Sequence, residues 1–175
     1  MLVGSIQRIP INIPPLCIAT PSSMNTIAQL LTPPSIALDV DADSKARLFE
    51  RAGALFERSA GLPRTVVSAS LAAREKLGST GLGQGIAIPH GRIKGLAKAT
   101  GAFIRLVAPI AFEAPDGKPV EQLFVLLVPE HATEEHLQLL SELAQMFSQR
   151  SFRDKLAMAA NAQDLIELFR AWEAA

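Results

Sequence analysis

The chain has 175 residues, 49% of them hydrophobic, and 17 Lys+Arg against 17 Asp+Glu, a formal net charge of zero. That supplies enough apolar material for one packed domain, and the balance gives no support for nucleic-acid or polyanion binding. The single cysteine, Cys17, excludes an intrachain disulfide and a thiolate metal cluster, and fits a reducing cytoplasm.

Six of the twelve prolines fall in the first 34 residues. Residues 1–23 are therefore read as a poorly ordered, dispensable extension, with 24–175 as the domain. Met24 offers an alternative start of translation; a genuine N-terminal arm is the other reading. No apolar run reaches the roughly eighteen residues that a membrane helix needs, so no membrane insertion is expected.

Residues 25–31 are read as one or two helical turns ahead of Pro33-Pro34, and Ile36–Val40 as a short strand. Asp43 is the expected N-cap of a helix to Ala60, with Leu48, Phe49, Ala52, Leu55 and Phe56 along one face and Gly61 as its stop. Pro63 is expected to open the next helix, which runs to Leu77 and ends at Gly78. A glycine loop and a strand over 85–88 follow, then a β-compatible stretch from Ala99 to Val107. Pro115-Asp-Gly-Lys-Pro119 signals a turn. The run 121–128, continuously apolar from Leu123, reads as an interior strand. Three helices close the chain at about 134–148, 151–159 and 162–173, with Thr133, Ser151 and Asn161 as N-cap candidates. The pattern predicts an α/β fold: a mixed β-sheet covered by helices, in a single domain.

Seven of the eleven glycines lie between Gly78 and Gly101, so backbone freedom is concentrated in one place. His90 sits inside this stretch, after Ile86-Ala87-Ile88 and between Pro89 and Gly91. An imidazole with a pKa near 6.5 is largely uncharged at neutral pH, and it is a good nucleophile. A phosphoryl group on its ring nitrogen is a transferable intermediate. A loop histidine with one backbone hydrogen bond is the plainer alternative. Arg74 lies three residues after Leu71 and seven after Val67, near the apolar stripe of its helix. Its guanidinium is placed to meet phosphate oxygens, or else its stem packs and its head reaches solvent. His136 is the third residue of a helix if Thr133 is the cap, on the side of Leu139, Leu140 and Leu143. The positive end of a helix keeps such an imidazole neutral and offers donors to an anion. A capping-turn histidine with no ligand is the other reading. His131 is expected in solvated loop, and its spacing of five from His136 does not make a metal pair on one helix face. Gly81-x-Gly83 lacks the third glycine of a dinucleotide fingerprint, and no Gly-Lys-Ser/Thr is present.

Arg74-Glu-Lys-Leu-Gly-Ser-Thr-Gly-Leu-Gly-Gln-Gly-Ile-Ala-Ile-Pro-His90-Gly resembles the enzyme IIA domains of the mannitol/fructose class in the bacterial phosphotransferase system, most closely their nitrogen-regulatory branch. The likeness continues through Pro109 to Val120, Leu123 to Pro129 and Glu135-His136-Leu137, and covers roughly residues 24–173. The resemblance implies a mixed sheet flanked by helices on both faces. It implies that His90 accepts the phosphoryl group, that His136 supports it, and that Arg74 neutralises phosphate charge. Gly81, Gly83 and Gly85 are expected to let a partner dock closely. The implied activity is phosphoryl carriage through a phosphohistidine, without cofactor or metal. The implied donor is a histidine phosphocarrier protein, and the implied clients are transport or kinase proteins linked to nitrogen and potassium balance. Two alternatives stand beside this: a sugar-transport enzyme IIA that hands phosphate to an enzyme IIB, and an interaction module in which His90 is never phosphorylated.

Overall fold

The computed structural model describes residues 25–131 and 134–173. The extension 1–23, Met24 and the Thr133 cap lie outside the described residues. A six-stranded mixed sheet carries the fold, built from β1 (Ile36–Val40), β2 (Gly81–Gly83), β3 (Ile86–Ala87), β4 (His90–Ile93), β5 (Thr100–Ile110) and β6 (Val120–Pro129). The order is β1-β5-β6-β3-β2, with β4 also paired to β6. β5 runs antiparallel to β6, whereas β3 and β4 run parallel to it.

The apolar run of β6 is continuous because both of its faces are covered. Phe124, Leu126 and Val128 face one core; Leu123, Val125 and Leu127 face the other. This is the period of two expected of a strand buried on both sides. The first core lies under α1 (Thr26–Gln29), α4 (Glu134–Ser148), α5 (Arg150–Met158) and α6 (Ala162–Arg170). Phe169 is its hub. Its ring meets those of Phe103, Phe124, Phe147 and Phe152 at centroid distances of 5.2 to 6.3 Å, contacts worth about 0.5–1.5 kcal/mol each beyond area burial. The second core lies under α2 (Lys45–Ala60) and α3 (Arg64–Glu75), through Leu48, Phe56, Val67 and Leu71.

Several boundaries differ from the sequence reading. Ser44, not Asp43, caps α2, because Ser44 takes the extended conformation (φ −156°) and its hydroxyl accepts from Arg47 N. Asp43 instead accepts from the Ser44 hydroxyl at 2.9 Å. Gly61 ends α2 in the left-handed conformation, φ 67°, as expected. Pro63 is the cap of α3 rather than its first residue, and the helix stops at Glu75, leaving Leu77 84% exposed in the following turn. Gln149 replaces Ser151 at the start of α5, while Asn161 caps α6 by accepting from Asp164 N. α6 ends at Arg170, short of the expected 173. β5 extends past Val107 to Ile110.

The glycine segment is the largest departure. Instead of a loop and one strand it forms β2, β3 and β4. Gln84 and Gly85, at φ 56° and 79°, make a two-residue hairpin between β2 and β3. Positive φ at both central residues matches the twist of the flanking strands.

Candidate functional site

His90 opens β4, where it lies opposite Leu126 of β6. Pro89 turns the chain out of β3, yet its carbonyl still accepts from Leu126 N at 2.9 Å. The strand is thus held in register up to the imidazole. Gly91 follows because α3 crosses here. A Cβ at Gly91 would run into the hydroxyl of Ser70, which donates to Arg92 O at 2.9 Å.

The two ring nitrogens of His90 have different partners. Nδ1 lies 2.9 Å from Ile88 O, which can only accept, so Nδ1 carries the proton. Nε2 then holds the lone pair, and Arg74 Nε–H donates to it at 3.0 Å. Arg74 is fixed by a second bond, Nη1 to Gly78 O at 3.0 Å. Its guanidinium therefore turns from the last turn of α3 back across the site instead of reaching into solvent. His90 is half-buried, less open than a histidine standing free on a glycine surface. Burial pushes its pKa below the ordinary value; the backbone bond to Ile88 opposes this, and the charges of Arg74 and Arg92 add to the depression.

His136 arrives from the first turn of α4, its third residue, buried beside Leu139 and Leu143. The two imidazoles meet edge to face with centroids 5.3 Å apart. His136 Nδ1 is buried and has no hydrogen-bond partner among the described residues. Burial, then the neighbouring His90, Arg92 and Arg74, depress its pKa. Two neutral imidazoles and two guanidinium groups thus share one cleft of about 570 Å³, walled by Leu77, Leu137 and Leu140. Leu77 and Leu137 are exposed, so an apolar rim surrounds a cationic floor. His131, with its side chain 95% exposed, takes no part.

Gly81 and Gly83 have packing reasons of their own. A Cβ at Gly81 would stand 2.8 Å from that of Ala114. One at Gly83, where φ is 90°, would press on the Asp116 carboxylate, which accepts from Gln84 N and Lys118 N. Gly85 also has positive φ.

Two residues were missed in the sequence. Arg92 is on the same side of β4 as His90, two residues on, and donates to Glu130 O at 2.7 Å from the cleft wall. The alternation of a strand would have shown it, had β4 been recognised. Glu75 is nearly buried, its side chain 8% exposed, and it accepts from Lys45 Nζ at 2.8 Å, Thr80 N at 3.0 Å and Thr80 Oγ1 at 2.7 Å. Lys45 also sits 4.7 Å over the ring of Phe112. Nothing in the local sequence distinguishes Glu75 from a surface helix residue.

Comparison with known proteins shows the family. The family described as "Phosphoenolpyruvate-dependent sugar phosphotransferase system, EIIA 2" matches residues 29–172. The nitrogen regulatory protein of Pseudomonas aeruginosa is 45% identical over 148 residues, covering 83% of this chain and 95% of that protein. That of Escherichia coli is 40% identical over 130 residues, covering 74% and 80%. The crystal structure of nitrogen regulatory protein IIA-Ntr from Neisseria meningitidis superposes with a TM-score of 0.77 at 54% identity, covering 82% of this chain and 98% of that one. The chain therefore belongs to the type 2 enzyme IIA family of the phosphoenolpyruvate-dependent phosphotransferase system, and within it is similar to the nitrogen regulatory proteins.

Proposed function

We propose that this protein is a regulatory phosphoryl carrier in which His90 Nε2 accepts the phosphoryl group from the phosphohistidine of a histidine phosphocarrier protein. The observation that carries this reading is the asymmetry of the His90 ring: Nδ1–H anchored to Ile88 O, Nε2 presented to Arg74. The lone pair of Nε2 attacks phosphorus, the donor's P–N bond breaks, and the electron pair returns to the donor imidazole. The His90 Nδ1 proton stays in place, and its bond to Ile88 O supports the positive charge that the ring acquires. Transfer between two imidazoles is nearly symmetric, so positioning and charge neutralisation carry the catalysis. Arg74 Nε–H exchanges its acceptor from Nε2 to a phosphoryl oxygen, and His136 offers a polar edge from the opposite side. Gly81, Gly83 and Gly85 shape the neighbouring hairpin so that the donor can approach.

The output is regulatory. The phosphorylated and free forms bind transport or kinase proteins of nitrogen and potassium balance differently, in the cytoplasm. Similarity to the nitrogen regulatory proteins supports this over a sugar-transport role.

The test is incubation with phosphoenolpyruvate, enzyme I and the phosphocarrier of each branch, followed by an enzyme IIB. The expected result is acid-labile label, absent in His90→Ala, with no onward transfer to IIB. Undiminished labelling of His90→Ala sinks the assignment, and efficient transfer to IIB favours the sugar-transport reading.

A further inference from the structure

A row of contacts leads from α2 to the His90 ring without passing through solvent. Lys45 Nζ donates to Glu75 Oε1 at 2.8 Å. Glu75 Oε2 accepts both the backbone N–H and the hydroxyl of Thr80, at 3.0 and 2.7 Å. Thr80 is itself buried, and its carbonyl accepts from Ile88 N at 3.0 Å. The carbonyl of the same Ile88 accepts from His90 Nδ1 at 2.9 Å. We propose that Glu75 is a positioning residue for phosphoryl transfer: its carboxylate fixes Thr80 and, through Ile88, sets the orientation and tautomer of the His90 imidazole. The inference rests on the reading of His90 as the nucleophile.

Ile88 O must stand at a fixed place in the ring plane of His90 for Nδ1 to keep the proton. Ile88 belongs to neither β3 nor β4; it lies in the link between them, just before Pro89. Its N–H bond to Thr80 ties this link to the segment ahead of β2. Thr80 is in turn held from the other side by two bonds to one charged oxygen. Hydrogen bonds to an ionised acceptor are roughly twice as strong as neutral ones. A second consequence follows at Arg74. Its Nη1 bonds to Gly78 O, two residues before Thr80, so the same carboxylate steadies the carbonyl that aims the guanidinium. One buried acid thereby governs both partners of the His90 ring. Lys45, held over Phe112 and bonded to Glu113 as well, places a cation directly against this carboxylate.

The experiment uses Glu75→Gln and the double variant Lys45→Met/Glu75→Gln in the full chain. Glutamine keeps the shape but leaves the Lys45 ammonium with only the exposed Glu113 carboxylate as countercharge; the double variant removes that charge too. Glu75→Gln should lower kcat for transfer from the phosphocarrier about tenfold while KM for the donor holds. The double variant should recover melting temperature and not kcat. In the free protein, ¹⁵N spectra should show the Nδ1–H tautomer of His90 in the wild type and a growing Nε2–H signature in both variants. This spectral arm needs no donor, so it answers even if His90 is not the acceptor. Unchanged tautomer ratios, or recovery of kcat together with melting temperature in the double variant, would overturn the proposal. A raised KM at constant kcat would overturn it too, by making Glu75 a docking residue.

Discussion

At His90 the direction of the pKa shift makes a prediction about rate. Burial and the neighbouring guanidinium groups hold the imidazole below its ordinary value, so the neutral, nucleophilic form persists into mildly acid solution. The acid limb of the transfer rate against pH should lie below about 6.5, the value for a free imidazole. Single-turnover transfer measured across pH checks this, and a limb above 6.5 would contradict it. Stability should show the same sign. His90 and His136 both have depressed folded-state values. Below about 6.5 the unfolded chain therefore takes up protons that the folded one resists, and stability falls as pH is lowered towards the folded-state values. Replacing His136 by Gln should flatten part of that acid loss. It should slow transfer while leaving His90 able to accept phosphate. Arg74→Gln removes the donor aimed at Nε2. By analogy with the loss of one preorganised donor it should cost transfer about 10²-fold or more, with little change in melting temperature, since the side chain is not part of either core.

Elements differ in how far their sequence declares them. α2 was legible from Leu48, Phe49, Ala52, Leu55 and Phe56 and from Gly61 beyond them, because an amphipathic face and a left-handed stop are local signals. β6 was legible because a strand covered on both sides shows an unbroken apolar run, here Leu123 to Val128. The caps were less so: Asp43 and Ser44 are both good N-caps by type, and which of them takes the extended conformation depends on how β1 delivers the chain. The β2–β3–β4 segment reads in sequence as loop and one strand, since Gly81, Gly83 and Gly85 lack side chains that could alternate. His90, Arg74 and His136 could be singled out by type and motif. That Arg74 reaches His90 could not, for it depends on α3 crossing β4 over Gly91. That crossing carries its own prediction. Gly91→Ala drives a methyl group into Ser70 and should destabilise the fold by about 1–3 kcal/mol, as overpacking does. The double variant with Ser70→Gly should recover most of the loss, as thermal melts of the two proteins would show.

Over the whole molecule, phosphorylation is expected to act as a local electrostatic switch. The site lies at the start of β4 and the start of α4, while the Phe169 cluster and the α2–α3 core are packed against the body of the sheet. A phosphoryl group adds nearly two negative charges to a cleft that already holds Arg74 and Arg92, so compensation is at hand without repacking. Partners that seal the Leu77–Leu137 rim over an unmodified His90 should lose affinity when that charge would be buried against them. Amide shifts on phosphorylation should therefore concentrate near β4, the 78–85 segment and the first turn of α4. Shifts spread through α6 would contradict this. The most direct test of the central claim is a ³¹P and long-range ¹H–¹⁵N spectrum of the phosphorylated, histidine-labelled protein. One phosphohistidine is expected, at His90, with phosphorus on Nε2 and the proton retained on Nδ1. Phosphate on His136, or on Nδ1 of His90, would contradict it.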